Sequence, residues 1–288
     1  MTEFDPSLLK KLYVPSSDSH KAQNGKVMLI GGSKLFHAAS LWSLQIASRI
    51  VDMVFYCSTE ENNEIVKQAK SEFRNGIVIP RRQIDSYIQE ADVILIGPGM
   101  PRPEGKEEGD DDTKEITERL LKQYPYKKWV IDGGSLQTIE PEVLLGLKQI
   151  PVLTPHQGEF ERLFGNVILS ETKNLDPSAV PQEDKVSDMA KKFDCVINLK
   201  GEVDIVASPA QVVSVSGGNA GMTKGGTGDV LAGLTAALYS KNDAFDSACA
   251  ASYINKKAGE SLEQSVGLYY NASDLADEVP KVMKSLLL

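Results

Sequence analysis

Six glycines fall within the twelve residues from Gly217 to Gly228, and Asp229 then opens the apolar run Val230-Leu-Ala-Gly-Leu-Thr-Ala-Ala-Leu238. Glycine lets a backbone turn its N–H groups inward and approach a ligand closely, and a helix start adds unpaired donors and a positive dipole end. The amides of Gly226, Thr227 and Gly228 therefore form a candidate anion hole. A lone aspartate on a first helical turn is usually only an acidic helix start. Flexible backbone on every side is more than such a start needs, so Asp229 reads as a reactive group.

Familiar phosphate and hydrolase motifs fail on detail. Gly221 to Gly226 has the P-loop spacing, but Thr227 stands where its lysine belongs. Gly31-Gly32-Ser33-Lys34 lacks the third glycine of a dinucleotide fingerprint, and Gly133-Gly-Ser135-Leu-Gln137 lacks the closing glycine of a nucleophile elbow. The only histidines are His20, His37 and His156, with no paired Cys/His spacing for zinc.

The elements that must position these residues follow from hydrophobic pattern. Continuous apolar runs at 26–30, 52–56, 92–96, 129–132, 151–154 and 195–199 predict strands buried on both faces. Helical segments at 38–50, 61–71, 113–123, 141–147, 157–164 and 182–192 separate them, so a mostly parallel sheet covered by helices is expected. Two runs at 203–207 and 212–215, split by Ser208-Pro-Ala-Gln211, predict an edge β-hairpin; helices at 227–239, 244–264 and 272–287 follow. Residues 101–112 and 166–183 read as surface excursions. Several strands end in polar or glycine-rich segments: Gly31-Gly-Ser33, Gly97-Pro-Gly99, Asp132-Gly-Gly134, Thr154-Pro-His-Gln-Gly-Glu159 and Lys200-Gly201. In an open α/β sheet these endings could line one crevice.

The 288 residues carry 31 basic and 40 acidic side chains, a net charge of −9, which argues against a general nucleic-acid binder. Cys57, Cys195 and Cys249 form no pairing pattern and fit a reducing compartment. The acidic start MTEFDPSLLKK has no signal-like apolar region, and no apolar run reaches membrane-span length, so a cytoplasmic protein is expected.

Asn219-Ala-Gly-Met-Thr-Lys-Gly-Gly-Thr-Gly-Asp229-Val-Leu-Ala-Gly233, Thr154-Pro-His-Gln-Gly-Glu159, Gly97-Pro-Gly-Met100 and Lys26-Val-Met-Leu-Ile-Gly-Gly-Ser33 together resemble the motifs of the ADP/ATP-dependent NAD(P)H-hydrate dehydratases of the ribokinase-like superfamily. The resemblance runs from about Gly25 to the C-terminus. It implies a ribokinase-like three-layer α/β/α sandwich, with residues 1–24 as an N-terminal extension and 25–288 as a single domain, and a stand-alone dehydratase without the epimerase domain fused to it in some organisms.

The activity it implies is repair of (S)-NAD(P)HX, in which ATP or ADP phosphorylates the hydroxyl of the hydrated nicotinamide and phosphate loss restores NADH or NADPH. By the same resemblance Ala39, Gly99 and His156 contact the hydrated dinucleotide and Asp229 reaches its hydroxyl. Lys200, Gly201, Glu202, Val203, Asp204 and Gly228 bind the nucleotide, with Mg²⁺ bridging the donor phosphates and no protein ligand assigned to it. A homo-oligomer is implied as well.

Beside those roles, His156 could cap the helix after Thr154-Pro155, and Lys200 could simply pair with an acidic neighbour. An aspartate of ordinary pKa would be ionised at neutral pH. Departures from the family pattern are Ala38 and Ser40 around Ala39, Gly133-Gly-Ser135, Gln157, and Lys224, which could add a cation for phosphate. The alternatives are a ribokinase-like kinase of a small alcohol, such as a vitamin precursor, and a non-catalytic nucleotide sensor.

Overall fold

Lys26-Val-Met-Leu-Ile30 is apolar at consecutive positions because both of its faces are covered. In the computed structural model, which describes residues 1–171 and 180–288, Val27 and Leu29 enter one core, Met28 and Ile30 the other, and all four are fully buried. Neighbouring strands alternate in the same way.

Among the described residues the strands are β1 (Thr2–Glu3), β2 (Lys26–Ile30), β3 (Met53–Cys57), β4 (Ile77–Val78), β5 (Val93–Ile96), β6 (Lys128–Ile131), β7 (Val152–Leu153), β8 (Val196–Leu199), β9 (Asp204–Ala207) and β10 (Val212–Val215). They form one sheet in the order β4-β3-β2-β5-β6-β7-β8-β9-β10-β1. Strands β2 to β8 run parallel, β9 is antiparallel to both β8 and β10, and β1 lies parallel to β10.

The helices are α1 (His37–Ala47), α2 (Glu60–Ala69), α3 (Ile84–Glu90), α4 (Thr113–Gln123), α5 (Gly133–Leu136), α6 (Gln157–Glu171), α7 (Gln182–Lys192), α8 (Thr227–Tyr239), α9 (Ala244–Val266) and α10 (Ala272–Leu287). Buried residues of α1, α2, α8, α9 and α10 join the core on one face, and those of α3 to α7 join the core on the other. The result is a three-layer α/β/α sandwich.

The predicted hairpin is β9–β10. It is not the sheet's border, because Thr2–Glu3 adds β1 outside it through pairing with Val213 and Ser214. Residues of the expected N-terminal extension thus enter the sheet, and Phe4, Leu9 and Leu12 are buried in the core. The segment expected as a helix at 141–147 is a 3-10 turn, Pro141–Gly146. Of the excursion expected at 166–183, the first residues continue α6, α7 begins at Gln182, and 172–179 lie outside the described residues.

From β2 the chain builds β3 and β4 on one side, then returns to build β5 to β8 on the other. Such a reversal opens a crevice at the carboxyl ends of the strands. The residues after β2, β5, β6, β7 and β8 are the glycine and polar segments singled out above.

Candidate active site

Gly226 caps α8 with a φ of +97°. A Cβ there would lie 2.5 Å from the Trp42 ring and 2.7 Å from the Ala272 Cβ, so both the turn and the packing demand glycine. Having no side chain, Gly226 leaves the first-turn amides of α8 without a side-chain cap. The Thr227 hydroxyl donates back to the carbonyls of Met222 (2.6 Å) and Lys224 (3.0 Å), which closes the loop onto the helix start. Asn219 braces its other end, accepting from the Gly221 amide (2.8 Å) and the Tyr270 hydroxyl (2.7 Å) and donating to the Gly259 carbonyl (2.7 Å). The Ser43 hydroxyl of α1 donates to the Asp229 carbonyl at 2.7 Å. The residues expected to form the anion hole, Gly226, Thr227 and Gly228, thus lie at the start of α8, where the Thr227 amide reaches the Lys224 carbonyl at 3.4 Å.

Lys200 follows β8, and its Nζ lies 3.0 Å from Asp132 Oδ1 and 3.8 Å from Glu159 Oε2. A Cβ on Gly228 would sit 3.3 Å from the same Nζ, so the ammonium abuts the first turn of α8. A cation is unfavourable at a helix N-terminus by itself; the two carboxylates hold it there. Asp132 is oriented by the Thr154 hydroxyl, which donates to Oδ1 at 2.8 Å. Glu159 accepts from Gln137 Nε2 (3.1 Å) and the His156 amide (2.9 Å).

These neighbours set the ionisation of the site. Burial pushes Asp229 up to about 7, with the Asp132 carboxylate adding to the rise, Lys200 opposing it and Glu159 adding again. Burial also raises Glu159, against the pull of Lys200. Burial would lower Lys200, but Asp132 and Glu159 carry it above its ordinary value. The expectation of a fully ionised Asp229 at neutral pH is corrected accordingly. The helix end does favour the anion, but two flanking carboxylates and burial outweigh it.

A crevice of about 680 Å³ opens beside this cluster, lined by His156, Lys200, Gly201, Glu202 and Asp204 together with 217–220, Thr227 and Gly228. It brings together most of the expected nucleotide contacts. Val203 is exposed on the rim and does not line it. The Asp204 carboxylate is turned inward, accepting from the Gly201 amide (2.9 Å) and the Ser252 hydroxyl (2.6 Å).

Across the cleft, Ala39 and Gly99 meet at the ends of β2 and β5. A Cβ on Gly99, whose φ is +69°, would lie 2.4 Å from the Phe36 carbonyl oxygen, 3.0 Å from the Ala39 Cβ and 3.3 Å from the Gly32 Cα. His156 does not join this patch; it follows β7, two strand spacings from β5, or roughly 10 Å across the sheet. Its Nδ1 accepts from the Glu159 amide at 3.2 Å while Glu159 accepts from the His156 amide, a reciprocal cap at the start of α6. Its imidazole nonetheless lines the donor crevice.

Lys224 is engaged elsewhere, donating to the Leu268 carbonyl and lying 4.9 Å from the centre of the Tyr270 ring. Of the two lysines, Lys200 is the one whose ammonium abuts the first turn of α8. Asp132 and Glu159 gained no role from sequence, although both follow strand ends. Asn255 and Lys256, mid-helix on α9, line the crevice without any motif to mark them. The Asn255 Oδ1, buried at the crevice wall, has no hydrogen-bond partner within the protein.

The family model described as NAD(P)H-hydrate dehydratase matches residues 27–281. The chain is 34% identical over 283 residues to the bifunctional NAD(P)H-hydrate repair enzyme of Methanocaldococcus jannaschii, covering 96% of this chain but 51% of that enzyme. It is also 34% identical to the ADP-dependent (S)-NAD(P)H-hydrate dehydratase of Nitrosopumilus maritimus, covering 96% of this chain and 95% of that protein. The chain thus spans about half the length of the bifunctional relatives and nearly all of the monofunctional one. Among solved structures, an Enterococcus faecalis ribokinase-like protein superposes with a TM-score of 0.80 at 21% identity, covering 99% of this chain and 96% of that one. The Bacillus subtilis ADP/ATP-dependent NAD(P)H-hydrate dehydratase co-crystallized with ATP/Mg²⁺ superposes with a TM-score of 0.78 at 21% identity, covering 99% and 98%. The fold is ribokinase-like, and with the family match across 27–281 the chain belongs to the NAD(P)H-hydrate dehydratase family.

Proposed function

We propose that this chain dehydrates (S)-NAD(P)HX to NAD(P)H at the expense of ATP or ADP. The observation that carries the reading is the setting of Asp229: on the first turn of a helix start that has no side-chain cap, within the field of Lys200, Asp132 and Glu159, and next to Gly228, which lines a nucleotide-sized crevice. Asp229 takes the proton of the substrate hydroxyl as that oxygen attacks the terminal phosphoryl group. A base with a pKa near the working pH is well matched to this transfer, and in a loose phosphoryl transfer the proton leaves late. The first-turn amides of α8 and the Lys200 ammonium stabilise charge on the moving phosphoryl group. Loss of phosphate from the ring carbon, with a proton leaving the adjacent ring carbon, then regenerates the reduced nicotinamide.

Lys200, Gly201, Glu202, Asp204 and Gly228 shape the donor side; Ala39 and Gly99 shape the hydrate side, with His156 at the boundary. Among the described residues no group of three or more His, Cys, Asp or Glu side chains is placed to hold a metal ion. A Mg²⁺ carried on the donor phosphates would neutralise their charge. Cytoplasmic residence is part of the proposal, supported by three buried free cysteines. A homo-oligomer completes the proposal.

Hydrated NADH incubated with ATP or ADP should regain the absorbance of NADH with one phosphate released per molecule restored. Consumption of the donor without recovery of NADH would replace this reading with that of a small-molecule kinase. Comparing the two donors also assigns ATP or ADP.

A further inference from the structure

Lys256 is a buried cation that the chemistry above does not use. It sits on α9, about 5% exposed, at the wall of the donor crevice. Its ammonium donates to the carbonyls of Gly201 (3.1 Å), Glu202 (3.0 Å) and Gly217 (3.4 Å), and lies 3.2 Å from Asp204 Oδ1. A lysine ammonium has three protons. Three carbonyls take them and one carboxylate neutralises the charge, so none is left for a phosphate.

The carbonyls belong to two neighbouring segments: Gly201 and Glu202 come from the loop between β8 and β9, and Gly217 from the glycine-rich loop before α8, which the pairing of Asp204 with Val215 brings alongside. Asp204 secures the first segment a second time by accepting from the Gly201 amide and from Ser252 of α9. Both backbone groups of Gly201 are therefore tied, its carbonyl to Lys256 and its amide to the partner of Lys256.

We propose that Lys256 is a positioning residue for the nucleotide donor: one buried ammonium clasps the 201–202 segment to the start of the glycine-rich loop and fixes the shape of the crevice there without touching the ligand. The inference rests on the reading that this crevice takes ATP or ADP. It separates Lys256 from Lys200, whose ammonium faces the anion hole.

The test is calorimetric binding of AMP, ADP and ATP to the full chain, together with steady-state kinetics. Lys256→Met should weaken all three nucleotides by a similar factor, on the order of tenfold or more. The KM for hydrated NADH and the kcat at saturating donor should stay within about threefold. Because this variant leaves the Asp204 carboxylate without its cation, Asp204→Asn alone and the double variant Lys256→Met/Asp204→Asn are measured beside it. The double variant should recover thermal stability while binding nucleotide more weakly than Asp204→Asn alone. Binding in the double variant as tight as in Asp204→Asn alone would overturn the clasp. So would a loss that grows from AMP to ATP, which would make Lys256 a phosphate ligand. A wild-type chain that binds none of the three would overturn the donor-site reading and this inference with it.

Discussion

At the carboxyl ends of β6, β7 and β8, Asp132, Glu159 and Lys200 form a buried ion cluster against the start of α8, whereas at the ends of β2 and β5 the cleft wall is Gly32, Ala39 and Gly99. The first wall is made of charge and the second of absent side chains. A polyphosphate needs cations and amide donors held in place against a protein of net charge −9. A ring bearing one hydroxyl needs room and a fixed distance to a base. Asp229, on the first turn of α8, takes its ionisation from the charged wall.

Removing Asp229 should have the largest effect. Asp229→Asn keeps the shape of both walls and is expected to lower kcat/KM by roughly 100- to 10,000-fold. In the wild type the ionised base is lost as pH falls below about 7, so kcat/KM should drop there. The stability effect has the opposite sense. A carboxyl whose folded pKa lies above its unfolded value favours folding below about pH 4, and that contribution is lost as pH rises to 7. Asp229→Asn should therefore be more stable than wild type at pH 8, by roughly 1–3 kcal/mol in urea unfolding, with the gap closing toward pH 4.

Next comes the charged wall itself. Lys200→Met removes the ammonium at Gly228 and leaves Asp132, Glu159 and Asp229 without their shared cation. A loss of about 100- to 1,000-fold in kcat/KM is expected, and the acid limb of the pH profile should move above that of wild type. An unmoved limb would show that the carboxylates do not sense one another through Lys200.

A smaller effect should come from the uncharged wall. Gly99→Ala places a Cβ against the Phe36 carbonyl at a φ of +69°, a strain of roughly 1–2 kcal/mol. The KM for hydrated NADH should rise about tenfold while the KM for the nucleotide holds. A rise in both would mean that the two walls are one mechanical unit. Lys224→Ala should have the least effect, because its ammonium is held at Leu268 and Tyr270. Nucleotide affinity should be unchanged in titration.

Legibility in the sequence divides along the same line. Helices α4, α7, α8 and α10 are readable to the residue because Asp112, Pro181, Gly226 and Asn271 mark their starts. The uncharged wall is readable because glycine at a strand end is a local signal. Strands β1 and β4 are two residues each, too short for any period, and β1 exists only through its pairing with β10. The charged wall depends on strand order: Lys200 meets Asp132 across 68 positions because β7 is the single strand between β6 and β8. Without that order Asp229 reads as an ordinary ionised aspartate, and Lys256 as one more surface lysine on a helix.

In this mechanism the substrate hydroxyl oxygen attacks the donor phosphate and leaves with it. Hydrated NADH labelled with ¹⁸O at that hydroxyl tests this directly, by mass analysis of the released phosphate after one turnover with ATP or ADP. The label should appear in inorganic phosphate, one atom per NADH restored. Label recovered in water would contradict the account, since the hydroxyl would then have departed without being phosphorylated.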